Sequence, residues 1–302
     1  MEPRDLSAHS PYVPGRGVEE VARELGLAPE ELIKLSSNEN PHGPSPAAVE
    51  AIEAAAPTVN GYPKAAHTDL TGKIAGTWGL DPEQVWVSAG ADGAIDYLSR
   101  AFIDPGQRVL VPDPGFSYYP MSTRYHHGEI TTYPVEKSEG FEQTAADVLA
   151  AYDGERIVHV TTPHNPTGST LPPAELRALA AGVDDHTLVV VDEAYGEYAE
   201  DPSAIELLDD YDNVAVLRTF SKAYGLAGLR IGYAAVPEAW ADAYAKVNTP
   251  FAANEVACRA ALAALDDDEH LELSIDTARW VREYLRDELD VPTWPSGGNF
   301  VL

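Results

Sequence analysis

Between about residues 46 and 250, short runs rich in β-branched residues alternate with amphipathic stretches of helical period. No other property of this chain limits its fold as strongly. Strands are expected at Gln84 to Ser88, Arg108 to Val111, Ile130 to Tyr133, Ile157 to Thr161, Leu188 to Val191, Val214 to Leu217 and Ile231 to Ala235. Between them, Ala91 to Phe102, Ala145 to Tyr152, Pro173 to Ala181 and Glu238 to Lys246 read as helices. Seven strands separated by helices imply an α/β domain whose mostly parallel sheet is covered on both faces. In such sheets the chemistry sits at the strand ends.

The flanks differ from this core. Over residues 1–45, Pro11, Pro14, Gly15, Gly17, Pro41, Gly43 and Pro44 leave room for one helix, Val18 to Leu25, which predicts an extended arm. Residues 46–250 are the expected large domain. From residue 251 to 302, helical patterns at Asn254 to Leu265 and His270 to Leu289 predict the start of a second compact unit. Asn299-Phe300-Val301-Leu302 reads as the beginning of a buried strand, so the natural protein is expected to continue beyond Leu302.

Charge excludes some partners. The 49 acidic and 20 basic residues give a formal net charge of −29, which would repel nucleic acid and anionic membranes. Acidic pairs such as Glu19-Glu20 and Asp209-Asp210 lie on helix faces as a solvating surface, a composition similar to that of proteins from salt-loving archaea. Cys258 is the single cysteine, so neither an internal disulfide nor a cysteine-based metal site can form. His126-His127 and the pair His159 and His164 lack further ligands at helical spacing, and no metal site is expected. The start, Met1-Glu2-Pro3-Arg4-Asp5, lacks a signal peptide's apolar core, and no run is long enough to span a membrane, which makes a cytoplasmic protein the default.

Lysine is scarce: only Lys34, Lys64, Lys73, Lys137, Lys222 and Lys246 occur. One of them, Lys222, follows an apolar strand and opens the glycine-rich run Ser221-Lys222-Ala223-Tyr224-Gly225-Leu226-Ala227-Gly228-Leu229-Arg230. A partly desolvated amine has a depressed pKa and can form a Schiff base with an aldehyde, and a nearby guanidinium can hold a phosphate. Pyridoxal phosphate carries both groups. The alternative is a solvated turn lysine.

Other strand ends add candidates, each with a plainer reading beside it. Asp192, after Val189-Val190-Val191, can pair with a protonated pyridine nitrogen or cap a helix. Asn165, in Asn165-Pro166-Thr167-Gly168, can donate to a phenolate oxygen or belong to a simple turn. Ser88-Ala89-Gly90-Ala91-Asp92-Gly93 opens a helix whose free N–H groups suit an anion, with the Asp92 side chain turned away as a cap. Phe116 can stack on an aromatic cofactor or pack in the core.

In order and spacing these segments resemble the fold-type I pyridoxal-phosphate aminotransferases, and specifically the histidinol-phosphate aminotransferase family. The likeness runs from Pro11-Tyr12-Val13-Pro14-Gly15 through Leu35-Ser36-Ser37-Asn38-Glu39-Asn40-Pro41, Asn60-Gly61-Tyr62-Pro63 and the motifs above to Asn299-Phe300. It implies a mixed, mostly parallel seven-stranded sheet in a large domain, with a smaller α+β domain. Lys222 would be the Schiff-base lysine and the proton-transfer base, Asp192 the ring-nitrogen partner, and Asn165 and Tyr195 would hold the ring oxygen. Ala91, Asp92, Thr219, Ser221 and Arg230 would surround the phosphate, with Phe116 on the ring. Tyr62 would reach the partner subunit's site in a homodimer, and Tyr12, Asn38 and Asn299 would lie near the substrate.

Three positions depart from the pattern: Gly93 stands where the family usually has glutamate, Gly115 where threonine is common, and His42 where an aromatic is frequent. Family members also provide, beyond the point matching Leu302, an arginine for the substrate's acidic group. The expected reaction exchanges an amine between histidinol phosphate and 2-oxoglutarate, giving imidazole acetol phosphate and glutamate, in histidine biosynthesis. Alternatives on the same scaffold are threonine-phosphate decarboxylation, transamination of another aromatic or acidic amino acid, and a non-catalytic cofactor sensor. A net charge of −29 predicts that salt screens self-repulsion, so the melting temperature should fall as salt is lowered from molar to millimolar. An unchanged melting temperature would refute it.

Overall fold

The computed structural model describes residues 5–12, 15–64 and 67–302. Met1 to Arg4 of the expected arm, and Val13 and Pro14 of the Pro-Tyr-Val-Pro-Gly segment, lie outside the described residues. One seven-stranded sheet organises the molecule: β1 (Val85–Ser88), β2 (Arg108–Asp113), β3 (Glu129–Pro134), β4 (Ile157–Thr161), β5 (Leu188–Asp192), β6 (Val214–Thr219) and β7 (Gly232–Ala235). Their spatial order is β1-β7-β6-β5-β4-β2-β3. The run from β6 to β3 is parallel, while β7 is antiparallel to both neighbours, β1 and β6.

The strands bury both faces, and their alternation divides the core. Val158, Val160, Val189, Val191, Val214 and Val216 point to one layer. Ile157, Leu188, Val190, Ala215 and Leu217 point to the other. This two-sided burial explains the unbroken apolar runs in the sequence. Four strands continue beyond their expected ends, β2 to Asp113, β3 to Pro134, β5 to Asp192 and β6 to Thr219. Hydrophobic patterning stops at the first polar residue, but backbone pairing does not: Asp192 pairs with Leu217, and Thr219 with Gly232.

The helices are α1 (Val18–Leu25), α2 (Pro46–Ala55), α3 (Thr68–Trp78), α4 (Gly90–Phe102), α5 (Tyr118–Tyr125), α6 (Ala145–Ala151), α7 (Pro173–Gly182), α8 (Ala241–Val247), α9 (Glu255–Ala264) and α10 (Asp268–Glu288). Sequence patterning omits α2, α3 and α5 for local reasons. Pro46 looks like a breaker, yet it occupies the first turn of α2, where no N–H is needed, and the Ser45 hydroxyl accepts from Ala48 N–H at 3.1 Å. Gly72 and Gly76 dilute the period of α3, and Pro120 that of α5. The expected helix Glu238 to Lys246 is a 3₁₀ turn, Glu238–Trp240, followed by α8.

Small residues let α9 lie close against α2: Ala257, Ala260, Ala261 and Ala264 share the first buried layer with Ala48. The expected strand over residues 299–302 does not form. That stretch is irregular, and Trp294 N–H donates to Leu302 O at 3.2 Å. A strand needs a partner backbone along its length, and among the described residues this is the one backbone–backbone hydrogen bond that the stretch makes.

Register decides what the sheet can do. Thr161 lies beside Asp192 across β4 and β5, and Gly232 lies between Thr219 and Ser88. The carboxyl ends of β1, β4, β5 and β6 therefore share one edge of the sheet with the turn that joins β6 to the antiparallel β7. That turn holds Lys222. Within it, Gly225 has φ of +69°, and an added Cβ would stand 2.1 Å from the Gly43 carbonyl oxygen. Gly225→Ala should destabilise the protein by about 2 kcal/mol or more in urea unfolding, since left-handed strain and a backbone clash act together.

Candidate active site

A cavity of about 490 Å³ opens at that edge. Lys222, Asp192, Asn165, Tyr195, Thr219, Ser221 and Arg230 line it, and so do Ala91, Asp92, Phe116, Tyr12 and Asn38. Residues from the arm, from four strand ends and from the start of α4 thus converge on one space. Two other expected residues lie elsewhere. Tyr62 is 85% exposed and stacks on Phe251, with ring centroids 4.9 Å apart. Asn299 stands behind the cavity wall, donating its amide to Asn38 O at 3.0 Å.

The Lys222 amine donates to Ser37 O at 2.9 Å and lies 5.4 Å from the centre of the Tyr195 ring. Burial pushes its pKa down to about 8, with Glu39 opposing the shift. An amine in that state is still mostly charged at neutral pH, but it gives up its proton far more readily than an ordinary lysine. Ser37 and Asn38, which form the facing wall, both take left-handed backbone conformations, with φ of 72° and 49°. Bonds from Lys222 to Ser37 O and from Asn299 to Asn38 O hold this unfavourable pair in place.

Asp192 is buried at the floor. Burial raises its carboxyl to about 6, opposed by hydrogen bonds from Tyr119 Oη at 2.7 Å and Ala194 N–H at 2.9 Å. Both the helix-cap idea and the ring-nitrogen idea touch this residue: it does bind a nearby N–H, but its other oxygen meets Tyr119. Across the cavity, Tyr195 Oη accepts from the amides of Asn38, at 3.1 Å, and Asn165, at 3.3 Å. Burial pushes the phenol up to about 12, so it stays protonated, and with both acceptor positions used its own proton is free to be donated.

At the far end, Arg230 donates to Ser221 Oγ at 3.3 Å and to Asp92 Oδ2 at 2.9 Å. Gly90, the first residue of α4, has φ of +76°, and a Cβ there would lie 2.4 Å from the Arg230 guanidinium. Glycine is what lets the arginine reach the helix start. The Asp92 side chain does not cap α4, contrary to the sequence expectation; it pairs with Arg230 because the turn after β6 brings that cation within reach.

Comparison with known proteins bears on the family. The family model for "Aminotransferase class I and II" matches residues 30–302. A histidinol-phosphate aminotransferase of Haloferax volcanii is 74% identical over the whole chain, which spans 84% of that relative. Another of that name from Haloquadratum walsbyi is 72% identical over the whole chain, which spans 80% of it. The chain belongs to the histidinol-phosphate aminotransferase family. A crystal structure of the Sinorhizobium meliloti histidinol-phosphate aminotransferase with pyridoxal-5′-phosphate superposes with a TM-score of 0.84 at 30% identity, covering 98% of this chain and 83% of that one.

The donor set of this family member fits a phosphorylated pyridine aldehyde on its own chemistry. A buried carboxylate without a cationic partner, a phenol with a free proton, a desolvated amine and an arginine at an uncapped helix start are the complements of such a molecule's four polar groups. Sequence reasoning missed Tyr119 and Thr161, which line the cavity and bond to each other at 2.8 Å. His159 lies under Tyr119, ring centroids 4.4 Å apart, and is kept neutral by burial. Tyr119 sits three residues after Phe116, but nothing in its local pattern announces that it faces Asp192.

A depressed lysine leaves a mark on stability. Its folded pKa, about 8, lies below the ordinary 10.5, so between those values the unfolded chain holds more protons and stability rises with pH. Below pH 8 the charged amine therefore costs stability in the cofactor-free protein. Lys222→Met should stabilise that form at pH 7 by about 1–2 kcal/mol after allowance for partial exposure, and the gain should vanish above about pH 10.5. Thermal unfolding across pH measures both.

Proposed function

We propose that the chain is a pyridoxal 5′-phosphate-dependent aminotransferase that exchanges an amine between histidinol phosphate and 2-oxoglutarate. The observation that carries this reading is the placement of the Lys222 amine and the buried Asp192 carboxylate on one cavity with the Arg230 and Ser221 anion site. The two relatives above 70% identity bear the name of this activity, which favours it over phosphothreonine decarboxylation and over a binding-only role.

Bound pyridoxal phosphate supplies an electron-withdrawing ring that makes the hydrogen on the substrate's α-carbon acidic. The protein's own groups do the rest. Asp192 keeps a positive charge on the ring nitrogen, and in doing so its own carboxylate gains the partner that its burial demands. Tyr195 and Asn165 hold the ring oxygen by donated hydrogen bonds. Arg230, Ser221 and the N–H groups of Ala91 and Asp92 would hold the phosphate, and Phe116 would stack against the ring. With the cofactor bound, Lys222 would take the proton from the substrate's α-carbon and deliver it to the cofactor's aldehyde-derived carbon on the far side of the shared nitrogen, a role open to an amine with a pKa of about 8. Tyr12 and Asn38 would border the substrate, with Asn299 supporting Asn38 from behind.

The same reading makes the protein a cytoplasmic homodimer. Among the described residues no helix is long and apolar enough to cross a membrane. The stacked Tyr62 and Phe251 are exposed, and so are Ile33 and Leu35, apolar side chains that a second copy could cover. Tyr62 would then serve the partner's site. The three-part division into an arm, a large domain and a smaller unit belongs to this proposal, with α9 packed on the large domain.

Lys222→Ala should abolish amine transfer from histidinol phosphate and the borohydride-trapped cofactor adduct alike. Turnover in that variant would rule the mechanism out. Carbon dioxide release from phosphothreonine by the unaltered enzyme would move the substrate assignment instead.

A further inference from the structure

We propose that the Asp92 carboxylate is an internal competitor for Arg230, an anion occupying the guanidinium that the cofactor's phosphate needs, so that the protein holds its cofactor less tightly than its anion site would allow. The inference rests on the phosphate-site reading above and adds to it a group that works against binding.

The geometry is specific. Arg230 ends a 3₁₀ turn in a left-handed conformation, φ 53°, which aims its side chain back toward the start of α4. One nitrogen donates to Ser221 Oγ and Ala227 O, both at 3.3 Å, and the other to Asp92 Oδ2 at 2.9 Å. Gly90, Ala91 and Asp92 open α4, and no side chain caps it, so the N–H groups of its first turn face outward without an acceptor. Arginine, hydroxyl and helix start make one anion site. Asp92 places a carboxylate in it.

That carboxylate is held at a cost. Burial raises the Asp92 pKa despite the attraction of Arg230 and Lys222, and Asp96, one turn further along α4, adds to the rise. Asp96 is committed elsewhere, accepting from Ser122 Oγ at 2.6 Å and Tyr118 Oη at 2.9 Å. An arriving phosphate dianion brings a second negative group to the same guanidinium, so Asp92 must turn away, take up a proton or share the cation. Each response subtracts from phosphate affinity and leaves the rest of the cofactor untouched.

Pyridoxal, which lacks the phosphate, separates the two effects. Cofactor-free protein, its Asp92→Asn form and its Asp92→Ser form would be titrated with pyridoxal phosphate and with pyridoxal, following cofactor absorbance, with circular dichroism confirming the fold. Both variants should bind pyridoxal phosphate about three- to fivefold more tightly, the size expected from removing a half-exposed charge contact. Pyridoxal affinity should not change. Unchanged or weaker pyridoxal phosphate binding in the folded variants would overturn the inference, because Asp92 would then be neutral or would position Arg230. Equal affinity of the unaltered protein for the two ligands would overturn the phosphate site itself, and this inference with it.

Discussion

The structure depends on burying opposite charges at the ends of neighbouring strands without letting them pair. Asp192 closes β5, and Lys222 follows β6 by three residues. Both are perturbed mainly by loss of water, the carboxyl upward and the amine downward. Each perturbation opposes folding, and each is the property that makes the residue useful toward a charged aromatic ligand. A fold that neutralised either one internally would be more stable and have less to offer a cofactor.

Rigid support beneath the cavity makes this arrangement tenable. Arg218, immediately before Thr219, is buried and donates at 2.7 Å to Glu193, beside Asp192, and at 2.7 Å to Glu197. Glu193 also accepts from Ser203 Oγ and Ala204 N–H, each at 2.6 Å, tying the end of β5 to the following loop. A buried cation between two carboxylates is weak evidence for net stability, because desolvation offsets much of the attraction. Here it locks together the two strand ends that carry Asp192 and Lys222. Trp78 adds its ring to the same cation, 5.1 Å from the guanidinium.

The chain's acidity does not reach uniformly into the site. Arg230 and Lys222 share the cavity with Asp92, Asp192 and Glu39, and Lys34 pairs with Glu39 at 2.6 Å. Surface carboxylates at a net charge of −29 work against the approach of a phosphorylated ligand. A concave site that sets three cations, Lys34, Lys222 and Arg230, and a helix start against three carboxylates counters that field locally. Relatives named for salt-loving archaea share most of this sequence, and concentrated salt shortens the reach of the outer charges to a few ångströms.

The sequence by itself determined the α/β alternation, since strands buried on both faces must be apolar at every position, and it marked most of the cavity, since each motif ends a strand or opens a turn. It understated β5 and β6, whose last residues are polar yet paired, and passed over α2, α3 and α5, where proline and glycine mask the helical period. Only the tertiary structure decided that β7 runs antiparallel, which turns the Lys222 segment back so that Arg230 meets α4. Only it set Tyr119 on Asp192, sent the Asp92 side chain to Arg230, and put Tyr62 on the surface against Phe251. Patterning records which face of an element is buried, a local property. Which polar groups meet depends on strand order and register, which no single segment carries.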